Sequence, residues 1–497
     1  MKELKWDTLL NPKRFSNYLA PPKPEPESKF DWLMSEKSRT EQERDYDRIL
    51  FSTPVRRMAS KTQVFPLDKN ISIRTRLTHS HEVANLARSI GTFLTHGKFK
   101  GKFGEDAERN VPAVLGAVGL AHDLGNPPFG HSGEDAIRSW FRRKMADGIF
   151  NYDDGKNKGC LTAAQQNDFL EFEGNAQALR LLMRLQHVGQ SHGLKLTFGT
   201  LASLMKYPES SETHAGKKNK FKKFGYFQSE KDLVKTVFEQ TGLEESIRHP
   251  LAFIMEACDD IAYLVIDAED AIKKQIASFA DLMAWLESRT KDDPPSQHVI
   301  GLAKKDYEEY SAGKFTPAEL NDISMQKFRV YAIHMMVSAA VNSFEQNYDK
   351  IMSAQFTGSL LSNSHAKKFE DAIRKFDLEY AYKHKSVLAL ETQGYNAING
   401  IMDMLWEGII SRKPYEEKAS KRTTPFAKYA YSRISDNYRR VFEIRTGERE
   451  NYPELPLRYY ELQLLTDMVS GMADNYALDL YDDLNKHYVG ASVVNRK

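Results

Sequence analysis

The sequence predicts an all-α protein. Apolar residues recur at steps of three and four through most of the chain, the pattern of helices that bury one face. Runs of strict apolar–polar alternation, the mark of half-buried strands, are few, and no fixed-period repeat is apparent. At 497 residues, with 41% hydrophobic and 28% charged residues, the chain has ordinary globular composition. It is long enough for two or more lobes or one large multilayered helical domain.

The elements follow in order. Ala20–Ser28 (APPKPEPES) is proline-rich and charged, and predicts an extended connector within an N-terminal extension over residues 1–50. From His79 to Leu94, Val83, Leu86, Ala87, Ile90 and Leu94 mark one buried helical face. Val111–Asp123 is a more uniformly apolar helix, stopped by Gly125 and the pair Pro127-Pro128. A further helix is expected from Ser132, a good N-cap, with Ala136, Ile137, Trp140 and Phe141 inward. Lys217–Lys223 holds five lysines and reads as a loop. Leu251–Ile272 is a long apolar-periodic helix. Helical stretches follow at Phe328–Phe344, Lys367–Tyr382, Thr392–Trp406 and Tyr459–Leu480.

Charge and cysteine usage exclude some classes. A formal net charge of +2 points to no nucleic-acid partner by itself. Two cysteines, Cys160 and Cys258, make no disulfide framework and fit a reducing compartment. Met1–Leu10 is interrupted by charges, unlike a signal peptide. Val330–Val341, the longest nearly apolar stretch, falls short of the roughly 20 residues of a membrane span and contains His334. A cytoplasmic protein with no membrane partner is expected.

Four separated strings carry polar residues in apolar settings: RTRLTHSHEV (Arg74–Val83), AHDLGNPPFGHSGE (Ala121–Glu134), FEGNAQALR (Phe172–Arg180) and MEACDDIAYLVIDAED (Met255–Asp270). His122-Asp123 closes an apolar helix. It reads either as a solvated capping pair or as two metal ligands. His79 lies one turn before Val83 on its helix's apolar face, as a core histidine or a ligand. His81 faces elsewhere. Asp259 falls in line with Met255 and Ala262, where an ionised carboxylate is costly unless paired or coordinating. Two histidines and two aspartates make a hard N/O set suited to Mg²⁺, Mn²⁺, Fe²⁺ or Ni²⁺. Tyr263 and Asp267 extend Asp259 into a polar stripe at steps of four. His131 and Glu134, three apart, suit a base and its orienting carboxylate, the arrangement general acid–base catalysis uses. The bland reading of Glu134 is an acidic residue favouring a helix N-terminus.

Together, His79, His122-Asp123 and Asp259 resemble the H…HD…D signature of the HD superfamily. The longer strings RTRLTHS, AHDLGNPPFGHSGE, FEGNAQALR and EACDDIAYLVIDAEDAI resemble the bacterial dGTP triphosphohydrolases. SGMADNYAL, Ser470–Leu478, is similar to the same family's C-terminal motif, so the likeness runs from about Phe51 to Leu480. It implies an HD-domain helical core over residues 51–275. A large helical C-terminal region, 276–497, would complete the nucleotide pocket and the oligomer contacts.

Residue by residue, the resemblance implies metal ligation by His79, His122, Asp123 and Asp259, with Mg²⁺ or Mn²⁺ favoured and Fe²⁺, Ni²⁺ or Co²⁺ as further candidates. His131 and Glu134 match the catalytic pair. Gln63 corresponds to a residue near the sugar, and Tyr263 and Asp267 to the pair that recognises the 3′-hydroxyl and excludes ribose. Arg76, Asn175, Lys206, Tyr207 and Lys223 are similar to triphosphate contacts, Glu391 to a residue near the base. Arg458 is a candidate for the family's C-terminal arginine. The implied activity is hydrolysis of dGTP, or another dNTP, to deoxynucleoside and tripolyphosphate. A homo-oligomer built from dimers is expected, with a regulatory nucleotide or single-stranded DNA as further partners. The rival readings are another HD phosphohydrolase, such as a 5′-nucleotidase or a (p)ppGpp hydrolase, and an inactive nucleotide-binding regulator.

Overall fold

A computed structural model describes residues 3–19, 39–67, 70, 72–153, 158–186, 193–215, 220–412, 421–447 and 455–488. The proline-rich Ala20–Ser28 and residues 217–219 of the lysine run lie outside them. The helices that frame the site are α1 (Arg76–His96), α2 (Ala107–Ala121), α3 (Gly130–Met145), α4 (Gly174–Arg180), α5 (Pro250–Lys273), α6 (Pro317–Gln346), α7 (Lys367–Phe376), α8 (Lys385–Ile410), α9 (Leu457–Ser470) and α10 (Asp474–Asn485). Among the described residues the only strands are Asn151–Asp153 and Lys158–Cys160, a short antiparallel pair. They fall in Lys144–Cys160, which like Ala280–Thr316 lies outside the strings that carry the resemblance; the second stretch is largely spanned by helices Phe279–Arg289 and Pro294–Ser311. The class is all-α, as expected.

Local chemistry starts two of the site helices. Thr75 and Thr78 form a reciprocal capping box at the start of α1. The His249 imidazole accepts the Leu251 N–H, with Pro250 in the first turn of α5. The two helices α1 and α2 touch backbone to backbone. A Cβ on Gly119 would lie 2.7 Å from Ala84 Cα, so only glycine permits this approach. It brings His122, at the end of α2, against His79 on α1, with ring centroids 5.5 Å apart. Behind them one continuous cluster of buried apolar side chains runs from Leu4 to Leu484 and includes Trp140, Phe141, Phe172, Phe328 and Phe369. Each such side chain contributes about 1.5–3 kcal/mol when fully buried.

Three helix boundaries differ from expectation. Ser132 is not the N-cap of α3. The helix begins at Gly130, after Phe129 in the left-handed region (φ 60°), and Ser132 donates instead to the Glu391 carbonyl at 3.2 Å. The expected helix Lys367–Tyr382 changes pitch: α7 ends at Phe376 and Asp377–Tyr382 form a π-helical turn. Such turns re-aim side chains and recur at functional sites. Tyr459–Leu480 is two helices, because Gly471–Ala473 interrupt α9 and α10. The break places Asp474 in a first helical turn, where a carboxylate is favoured by the N-terminal dipole.

The C-terminal helices are tied to the front half by buried charge. Arg180 on α4 donates to Asp467 on α9 at 2.8 and 2.7 Å and to Glu230 at 2.9 Å. Removing one partner of such a set costs about 3–5 kcal/mol, because it leaves a buried charge uncompensated.

Candidate active site

A cavity of about 480 Å³ opens where α1, α2, α3, α5, α7 and α8 converge. Its lining includes every predicted site residue except His79, Asp267 and the candidate Arg458. A larger cavity of about 640 Å³, by Arg48, Arg57 and Lys195, has no histidine or carboxylate in its lining.

At the cavity floor, His79, His122 and Asp123 each bring one donor atom within 4.8 Å of the others. Asp259 on α5 joins them, its Oδ1 3.3 Å from His79 Nε2 and 3.4 Å from His122 Nε2. His79 is buried just behind the lining. His122 Nδ1 lies 2.7 Å from the Gly119 carbonyl, a contact that puts the hydrogen on Nδ1 and leaves the Nε2 lone pair free. That Nε2 is buried with no hydrogen-bond partner, 3.6 Å from Asp123 Oδ1. An orphaned imidazole nitrogen between two carboxylates fits a cation. Burial pushes the His122 imidazole down, but Asp123 and Asp259 carry it up to about 9, so the carboxylates draw in positive charge. Burial likewise opposes the charge of Asp123, yet Arg76 and the two histidines hold it down at about 2. Arg76 Nη1 meets Asp123 Oδ2 at 2.5 Å.

His131 and Glu134 stand on the first two turns of α3. His131 is open to solvent and its Nδ1 lies 3.1 Å from Glu134 Oε2, while Glu134 is buried. Glu134 Oε1 accepts the Gly174 N–H at 2.8 Å. Burial favours its neutral form, but the His131 hydrogen bond, Lys223 and Arg138 hold it down at about 2. Lys223 Nζ lies 2.9 Å from Glu173 and 3.8 Å from Glu134. Glu173 is pushed up to about 7 by burial and by Glu134.

Cations line the remaining wall. Lys206 Nζ is 3.4 Å from Asp259 Oδ2, and although burial opposes its charge, Asp259 keeps it protonated. Arg76, Lys206, Lys223 and Arg374 share the cavity with Gln63, Asn175, Tyr207 and Glu391. Such a set suits a polyanion.

Among the lining residues that were not foreseen, Asp260, Arg374 and Tyr382 add chemistry to the wall. Asp260 is pushed up to about 7, chiefly by burial, with Arg374 3.6 Å away. Tyr382 comes from the π-helical turn, which no periodicity rule anticipates. Its ring stacks on Tyr263 with centroids 5.9 Å apart, and its hydroxyl meets Asp267 Oδ2 at 2.5 Å. Asp267 therefore sits one layer deeper than the sequence suggested, buried behind Tyr382 with its other oxygen unpartnered. Arg458 is not in the cavity; it pairs with Glu461 at 3.0 Å and the Ile149 carbonyl at 2.9 Å.

No known family model matches the chain. Curated proteins do. The chain is 35% identical over 486 residues to the deoxyguanosinetriphosphate triphosphohydrolase-like protein of Listeria innocua, covering 97% of this chain and 99% of that one. It is 31% identical over 501 residues to the protein of the same description from Synechocystis, with the same coverage. The deoxyguanosinetriphosphate triphosphohydrolase of Klebsiella pneumoniae is 32% identical over 477 residues, 88% of this chain and 92% of that one. Helical fold, polar cavity and relatives together define an all-α hydrolase. The chain belongs to the deoxyguanosinetriphosphate triphosphohydrolase family.

Proposed function

We propose that this protein hydrolyses dGTP to deoxyguanosine and tripolyphosphate with a divalent ion held by His79, His122, Asp123 and Asp259. The observation that carries this reading is the cavity itself. It sets a buried His/Asp cluster beside an acid–base pair and beneath four cationic side chains. A divalent ion there would polarise a phosphoryl oxygen and lower the pKa of a bound water from 15.7 towards about 7. Arg76, Lys206, Lys223 and Arg374 would clamp the triphosphate, whose charge offsets their own. His131, held through Nδ1 by Glu134, presents Nε2 for proton transfer to or from the reacting oxygens. In this reading Tyr263, stacked on Tyr382, supports the sugar and leaves no room for a 2′-hydroxyl. Asp267 reaches a 3′-hydroxyl only if the Tyr382 hydroxyl gives way or relays the contact.

Residues 51–275 would supply the chemistry, and the later helices, through Arg374, Tyr382 and Glu391, would close the pocket. Among the described residues no helix is long and apolar enough to cross a membrane. A cytoplasmic, dimer-built oligomer regulated by a nucleotide or single-stranded DNA belongs to the same proposal.

The test is a product assay over the four dNTPs with Mg²⁺, Mn²⁺, Fe²⁺, Co²⁺ and Ni²⁺. Tripolyphosphate in equal amount with deoxynucleoside is the expected result. Orthophosphate or pyrophosphate as the first product would point to another HD phosphohydrolase. No turnover with any metal would leave a nucleotide-binding regulator.

A further inference from the structure

The motif Ser470–Leu478 contributes nothing to the chemistry above, yet it is bonded to the catalytic turn. Asp474 is buried in the first turn of α10. Its Oδ1 accepts the Phe129 N–H at 3.0 Å. Its Oδ2 accepts the Thr62 N–H at 2.8 Å and the Thr62 hydroxyl. Beside it, the buried Lys61 ammonium donates to the carbonyls of Asn126 at 2.5 Å and Ser470 at 2.7 Å. Arg57 donates to the Gly471 carbonyl at 3.0 Å. A buried carboxylate that accepts three hydrogen bonds is fixed in place.

What it fixes is the turn that aims His131. Phe129 and Gly130 are both left-handed, with φ of 60° and 57°. A phenylalanine in that region is strained and persists only where its surroundings over-determine it. Two contacts do so. Asp474 takes its N–H, and its ring lies flat on α8, where a Cβ on Gly394 would come within 2.4 Å of it. His131 is the next residue but one. Its side chain is 80% exposed, so packing does not orient it. Its direction comes from the turn below and from Glu134.

We propose that Asp474 is a positioning residue for the His131–Glu134 pair, clamping the Phe129–Gly130 turn from the far end of the chain. The inference rests on the proposed roles of that pair. A displacement of about 1 Å at a reacting group can cost on the order of 10²-fold in rate. Asp474→Ala should therefore lower kcat for dGTP about 10–100-fold, with KM and bound metal within about twofold of wild type. Asp474→Asn, which keeps one acceptor oxygen, should recover part of the loss and carries the same measurements if the alanine variant folds poorly. In a His131→Ala background, Asp474→Ala should cost nothing further, because the group it aims is gone. An equal loss in both backgrounds, or loss of metal, would overturn the proposal and make Asp474 a general structural residue.

One readout is independent of substrate. Hydrogen exchange on the full chain should show the Phe129 amide at least about tenfold faster in Asp474→Ala, with the α5 amides unmoved. Unchanged exchange at Phe129 refutes the clamp even if activity falls. If wild type turns over no nucleotide, the functional reading fails, and the exchange measurement still decides whether Asp474 holds the turn.

Discussion

Replacing Glu134 by glutamine tests the acid–base pair with the smallest change of shape. The folded protein lowers this carboxyl from 4.5 to about 2 although it is buried, because His131, Lys223 and Arg138 surround it. A difference of ~2.5 pKa units corresponds to ~3 kcal/mol of preference for the charged form. Because the folded pKa is depressed, that stabilisation is fully present above the unfolded value and is lost only as pH falls through about 2. At neutral pH the variant should forfeit much of it. Glu173 offsets a share, since burial and the Glu134 charge push it up to about 7, and it will ionise more readily once that charge is gone. A net destabilisation of about 1–3 kcal/mol is expected by thermal denaturation.

The catalytic effect should be larger. Glutamate accepts the His131 Nδ1 hydrogen and leaves Nε2 facing the cavity. The glutamine amide can donate to Nδ1 and so moves the imidazole hydrogen to Nε2, the wrong tautomer for a base. Comparable changes lower kcat by about 10²–10⁴-fold. Initial rates of tripolyphosphate release, with metal content measured on the same samples, give the answer. A folded Glu134→Gln enzyme with kcat within about threefold of wild type would refute the pair, well under the range such groups contribute. Loss of metal would instead assign the residue to the cluster.

Asp259→Ala should abolish bound metal while far-UV circular dichroism is unchanged, and Asp260→Ala should retain it; stoichiometric metal in Asp259→Ala by elemental analysis would remove Asp259 from the ligand set. Tyr263→Ala should lower the rate and narrow the preference for dGTP over GTP. Equal turnover of the two by wild type would show that the stacked tyrosines do not select the sugar. Asp168 is buried, accepts the Tyr459 hydroxyl at 2.5 Å, and is pushed up by burial to about 7. Its folded pKa is raised, so its contribution to stability is fully present below the ordinary value and lost as pH rises through about 7. Asp168→Asn does not titrate, so its melting temperature relative to wild type should climb between pH 4 and about pH 7.5. A pH-independent difference would contradict the assignment.

Much of the site was legible because its residues break local pattern. His79 on the apolar face of α1, His122-Asp123 at the end of an apolar helix and Asp259 within α5 are polar groups where periodicity demands apolar ones. What stayed hidden depends on geometry that no short window contains. Tyr382 lies beyond a pitch change at Asp377, of which a constant period of 3.6 carries no sign, and Arg374, in the last turn of α7, joins the cavity only through packing distant in sequence. Asp267 shares the Asp259–Tyr263 stripe, but only the partner Tyr382 shows how deep it lies. The start of α3 was misplaced because Ser132 is a good cap, whereas Phe129 in a left-handed conformation is what no propensity rule expects. Arg458 had the right chemistry in the wrong place.

The bonds that join Thr62 and Phe129 to Asp474 close loops of 412 and 345 residues. Contacts this distant in sequence carry a loop-closure cost and form late in folding. During synthesis the ribosome releases His79, His122 and Asp259 first. The turn that carries His131 gains its last anchor only after residue 474 has emerged. Refolding should consequently regain helical signal before turnover. A chain arrested short of residue 474 would carry the cluster and the cationic wall without the finished catalytic turn, so competence would mark completion of the fold.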